Sequence, residues 1–115
     1  MLNAENILAA EDAVPPVKVS IPEWGGDAYI RVMSGCERDQ WELLAEEGIK
    51  KKTHANIRAS LLVATLCNKD GKRLFGHGQA DALGKKSSIV IDRLFDISQK
   101  INQLKESDID DLEKN

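Results

Sequence analysis

Val17-Lys18-Val19-Ser20-Ile21-Pro22-Glu23-Trp24-Gly25-Gly26-Asp27-Ala28-Tyr29-Ile30-Arg31-Val32-Met33 is the stretch on which the fold turns. Val17, Val19 and Ile21 alternate with Lys18 and Ser20, a period of two that suits a strand with one buried face. Pro22 to Asp27 then supplies turn chemistry, because Gly25 and Gly26 can take positive φ without a Cβ clash. Ala28, Ile30 and Val32 alternate again with Tyr29, Arg31 and Met33. Two such runs around a glycine-bearing turn predict a β-hairpin. A hairpin alone is marginal in water, so its apolar face must cover another element.

Downstream, the period changes to that of helices. Ser34-Gly35-Cys36-Glu37 has capping-box spacing, with the Ser34 hydroxyl and the Glu37 carboxylate each able to accept from the other's backbone N–H. A helix is expected from there to Glu47, ending at Gly48. Trp41, Leu44 and Ala45 form its buried stripe, and Glu37, Arg38, Glu42 and Glu46 face outward. Ile49 to His54 reads as a basic connector. Ala55 to Cys67 is apolar almost throughout and should be buried on most sides. It begins as helix, while residues 62–67 suit either helix or strand. Asn68-Lys69-Asp70-Gly71 is a strong turn, with Lys72 to Phe75 as a short returning arm. Gln79 to Leu83 holds at most one or two helical turns. Val90, Leu94, Ile97, Ile101 and Leu104, spaced four, three, four and three, predict a long C-terminal helix capped by Ser87 or Ser88. Upstream, Asn3 to Asp12 is expected to form a short helix stopped by Pro15-Pro16.

The reading is therefore an α+β fold: a small single domain with an N-terminal hairpin packed against a few helices. Residues 1–16 are a loosely attached lead-in, 17–105 the domain, and 106–115 an acidic tail expected to fray. A chain of 115 residues is the size of one domain. Its 42% hydrophobic and 30% charged residues exclude collagen-like, low-complexity and membrane-spanning classes. Sixteen Lys and Arg against nineteen Asp and Glu argue against a protein built to neutralise nucleic-acid phosphates. The start, Met1-Leu2-Asn3-Ala4-Glu5, lacks the basic and apolar regions of a secretory signal, so a cytoplasmic location is expected.

Chemistry-bearing clusters are sparse. Cys36 and Cys67 sit among apolar residues and read as buried small hydrophobes. With His54 and His77 they are scattered singly, so no metal site or cofactor is expected. Glu46-Glu47 and Asp110-Asp111 read as solvating charges, not as an acid–base pair. Gly76-His77-Gly78 lacks the Gly-Lys-Ser/Thr of a phosphate loop. Lys50-Lys51-Lys52 with His54 and Arg58 is the basic cluster, a solvated connector or a contact for phosphates or an acidic protein. Protein binding is better served by Trp24, at the hairpin tip, and by Leu74 and Phe75 beside the second turn. These are large apolar residues next to turn chemistry, where exposure makes an anchor for a partner and burial makes core.

Several segments together resemble the tail assembly chaperones of long-tailed bacteriophages and prophages. They are Asn6 to Asp12, Val19 to Gly26, Arg31 to Asp39, Arg58-Ala59-Ser60-Leu61-Leu62 and Asp70 to Phe75, covering the chain roughly from Asn6 to Leu104. The most specific part is Pro22-Glu23-Trp24-Gly25-Gly26 followed by Ser34-Gly35-Cys36-Glu37-Arg38-Asp39. The resemblance implies a non-catalytic protein that binds the tape measure protein, keeps it soluble, recruits tail tube subunits and is absent from the mature virion. It also implies self-association, action in the host bacterial cytoplasm and, in many members, a longer frameshifted product that engages the tube protein. It transfers no catalytic residue and no cofactor. The alternative is another interaction or regulatory module, touching nucleic acid through the Lys50–Arg58 cluster.

Overall fold

The computed structural model describes residues 1–51 and 57–105. Helix α1 (Ala4–Ala9) opens at Asn3, whose side chain accepts from the Asn6 N–H at 2.8 Å while that of Asn6 accepts from the Asn3 N–H at 3.3 Å. It ends three residues short of Asp12, because the chain turns extended at Ala10. None of its residues is buried.

The hairpin forms as its pattern predicts. Strand β1 (Val17–Ile21) pairs antiparallel with β2 (Gly26–Ile30), with Val17 opposite Ile30 and Ile21 opposite Gly26. Pro22–Trp24 makes one 3-10 turn, closed by the Gly25 N–H donating to the Pro22 carbonyl at 3.1 Å. Gly25 sits at φ +84°, a conformation that only glycine takes without strain. Strand β2 stops at Ile30, short of the expected Met33, because both partners run out there. Val17, opposite Ile30, is the first residue of β1, and Thr65, whose carbonyl accepts from the Arg31 N–H at 3.0 Å, already belongs to a helix, Ile57–Thr65.

Helix α2 (Gly35–Lys51) carries the predicted capping box: the Ser34 N–H donates to Glu37 Oε1 at 2.9 Å, and the Glu37 N–H to Ser34 Oγ at 3.2 Å. Trp41 and Ala45 are buried, but Leu44 is only half-buried. The helix does not end at Gly48. It continues through Lys51, so the first residues of the expected connector are helical and Gly48 is carried at the modest cost of an interior glycine, about 1 kcal/mol. Lys52, Thr53 and His54 lie outside the described residues.

Helix α3 (Ile57–Thr65) runs directly into strand β3 (Leu66–Cys67), which answers the open question over 62–67: helix to Thr65, then strand. Strand β3 pairs antiparallel with β2, Ile30 opposite Leu66, so the sheet order is β1-β2-β3. The Asn68 side chain accepts from the N–H groups of Asp70 and Lys72 at 2.9 and 3.1 Å, and Gly71 sits at φ +82°. The returning arm shrinks to one bridge, Cys67 with Arg73, flanked by bonds from the Asn68 N–H to the Lys72 carbonyl and from the Leu74 N–H to the Leu66 carbonyl.

The core forms two clusters divided by α3. On one side Leu62, Val63 and Leu66 meet Val19, Ile21 and Ile30 of the hairpin, Leu83 of α4 (Ala80–Gly84) and Val90, Ile91 and Leu94 of α5 (Ser88–Ile101). On the other, Leu61 and Ala64 meet Trp41, Ala45, Phe95 and Leu104. Where the clusters meet, Ser98 Oγ donates to Thr65 Oγ1 at 2.9 Å, and Thr65 Oγ1 donates to the Leu61 carbonyl at 2.8 Å. Ser87 stands at the start of α5 but makes no side-chain cap bond. Leu104 is buried as the seam predicts, yet by another route. The helix ends at Ile101, Gln103 takes φ +54°, and the Leu104 N–H bonds back to the Gln99 carbonyl, turning Leu104 onto the Trp41 cluster.

Candidate protein-binding surface

The geometry around Trp24 begins with its neighbour. Glu23 accepts two hydrogen bonds from Arg93 of α5, at 2.6 and 2.8 Å, the planar fork of a guanidinium on a carboxylate. This pair holds the hairpin tip over α5. Arg93 holds the Glu23 carboxyl down to about 2, and Glu23 in turn raises the Arg93 guanidinium above its usual range. Trp24 is 37% exposed on that tip. Ile89, one turn before Arg93 on the same side of α5, is 75% exposed, and Lys85 and Lys86 stand exposed just before it. Ile89 escaped the sequence reading, which followed the seam. An isoleucine one position off a seam, in a helix whose stripe is already complete, is the signal that marks it.

Leu74 is exposed, whereas Phe75 is half-buried against the main core cluster. Trp24 and Leu74 are not brought together. Trp24 lies beyond the Gly26 end of β2, and Leu74 bonds to Leu66, which pairs with Ile30 at the opposite end. Roughly 13 Å of strand separates the two ends. Two separate apolar surfaces result.

A cleft of about 640 Å³ opens between the lead-in and the start of α2, lined by Pro15, Pro16, Arg31, Met33, Glu37 and Gly71. Its charged wall is built around Glu37, which does not face outward as expected. Glu37 ion-pairs with Arg31 and, at 3.0 Å, with Arg73. Arg31 also donates to the carbonyls of Ala64 and Gly71, at 3.2 and 3.1 Å. Burial, and then the nearby Arg73 charge, lower its pKa. One carboxylate thus ties the start of α2 to the sheet and to the second turn.

Other expectations change with the structure. Cys36 is exposed on the first turn of α2, not buried, because the apolar stripe of that helix starts only at Trp41. Cys67 is buried, and burial pushes its thiol up. Within the basic cluster, Arg58 pairs with Asp92 at 2.9 Å and lies 5.7 Å from the Phe95 ring centre. Among the described residues, no three His, Cys, Asp or Glu are grouped to hold a metal ion, and no helix is long and apolar enough to cross a membrane.

Fold and surface define a small α+β domain whose large exposed apolar side chains include those of a hairpin tip, a helix start, the second turn, the middle of α2 and an N-terminal arm. The phage tail assembly chaperone family model matches residues 4–115, and the chain belongs to that family. No curated protein matches the sequence. Among solved structures the chain is similar to the bacteriophage HK97 tail assembly chaperone, with a TM-score of 0.60 and 19% identity, covering 84% of this chain and 90% of that one. At that identity the likeness is one of fold.

Proposed function

We propose that this phage tail assembly chaperone acts without catalysis, binding the tape measure protein, keeping it soluble and recruiting tail tube subunits during tail morphogenesis. The family match over residues 4–115 carries this reading. A tape measure protein presents long apolar helical faces before the tube surrounds them, and small subunits shield such faces by helix-in-groove contact. Single weak contacts suffice when neighbouring subunits also touch, since local concentration raises occupancy. Self-association therefore belongs to the function, and the separation of Trp24 from Leu74 and Phe75 supplies one surface for a neighbour and one for the tape measure. Residues 17–105 are the working domain, with 1–16 as lead-in and 106–115 as an acidic tail, and a longer frameshifted product would engage the tube protein. The site of action is the host cytoplasm, and the protein leaves before the virion is complete.

Coexpression with tape measure segments, followed by copurification and light-scattering mass, tests this. A soluble complex with several copies per segment is expected. A partner that stays insoluble beside a lone monomer overturns the reading, and steeply salt-dependent nucleic-acid binding would favour the regulatory alternative.

A further inference from the structure

The N-terminal arm is built but uncovered. Helix α1 spans six residues, far below the roughly 12–15 that an isolated helix needs in water, yet both halves of its capping box are made. Met1, Leu2, Ile7, Leu8 and Val14 are all exposed, Leu8 at 86%. The arm leaves from the Val17 end of β1, the end away from the hairpin tip, and Pro15-Pro16 stiffens its exit. Its own domain therefore gives it no apolar cover.

Charge indicates what does. Residues 1–16 carry Glu5, Glu11 and Asp12 and no Lys or Arg. Residues 17–105 carry 15 Lys and Arg against 11 Asp and Glu, a surplus of four positive charges. Trp24, on the tip that Arg93 grips through Glu23, and Ile89, one turn before Arg93, have the complementary character: both are apolar and exposed, and Lys85 and Lys86 stand exposed within four residues of Ile89 in the chain.

We propose that the arm of one copy docks on the Trp24–Ile89 surface of a second copy, Ile7 and Leu8 covering the apolar patch and Glu5, Glu11 and Asp12 facing Lys85 and Lys86. This deepens the self-association within the proposed function and rests on it. Arm and acceptor are different surfaces, so the contact is head-to-tail, and each added copy presents a fresh acceptor.

The test uses full-length chains. Ile7→Asp with Leu8→Asp abolishes donation, and Ile89→Asp abolishes acceptance; all three positions are exposed, so circular dichroism and melting should match wild type. Wild type is expected to gain mass with concentration, and each variant alone to stay monomeric. An equimolar mixture of the two should stop at a dimer, because one can only accept and the other only donate. Lys85→Glu with Lys86→Glu should weaken association at least about tenfold, less so at high salt. If the arm variant keeps the wild-type mass, or the mixture forms no dimer, arm docking is overturned while self-association stands. If wild type is monomeric at every concentration, self-association itself fails, and arm docking with it.

Discussion

Thr65 and Ser98 show how one atom's partners set the cost of losing it. Thr65 Oγ1 is both acceptor for Ser98 and donor to the Leu61 carbonyl, with both side chains fully buried. Thr65→Val leaves the Ser98 hydroxyl without its acceptor and is expected to cost about 1–2 kcal/mol. Ser98→Ala leaves Thr65 its Leu61 bond and should cost under about 1 kcal/mol. Urea denaturation of the two variants checks the order; equal losses would mean that the pair acts only through packing. Neither partner was legible in advance, because a serine between Ile97 and Gln99 carries no sign of what faces it. Glu37 was half legible: its capping role follows from Ser34 three residues earlier, but its two arginines arrive from β2's exit and the second turn, and only the fold brings them there.

Between elements, the hairpin is joined to α5 by burial and by one ion pair. Glu23 has its carboxyl lowered from 4.5 to about 2 by the hydrogen bonds from Arg93. A carboxylate with a depressed folded pKa contributes stability that is present above its unfolded value and lost as pH falls through the folded one. Denaturation midpoints are therefore expected to drop between pH about 4.5 and about 2 by more in wild type than in Glu23→Gln. The pair is part-exposed, so added salt should shrink the difference. Superimposable pH profiles for the two proteins would show that Glu23 does not feel Arg93. Hairpin and capping box were readable because their partners lie within a few residues, whereas the Glu23–Arg93 pair spans 70 positions.

Considered whole, the molecule separates two apolar surfaces by the length of its central strand, and this separation predicts separable defects. Trp24→Ala should weaken self-association about tenfold or more, as loss of an interface aromatic does, while changing stability by less than about 1 kcal/mol. Leu74→Ala should reduce recovery of tape measure segments and leave self-association intact. Sedimentation equilibrium and copurification on both variants distinguish the surfaces. Parallel loss of both activities in each variant would mean that one continuous surface serves both partners.

What could be read without coordinates was whatever neighbours in sequence decide: the period-two strands, the Gly25 turn, the Ser34–Glu37 cap, the α5 stripe and the family itself. Exposure along those elements obeyed longer-range packing. Cys36 faces water on the first turn of α2, ahead of the buried stripe that starts at Trp41, Ile89 lies beside a complete stripe yet is uncovered, and Leu104 is buried beyond its helix through a left-handed residue. The physical reason is that local periodicity states which face of an element is apolar, whereas the amount of that face removed from water depends on what other elements bring against it.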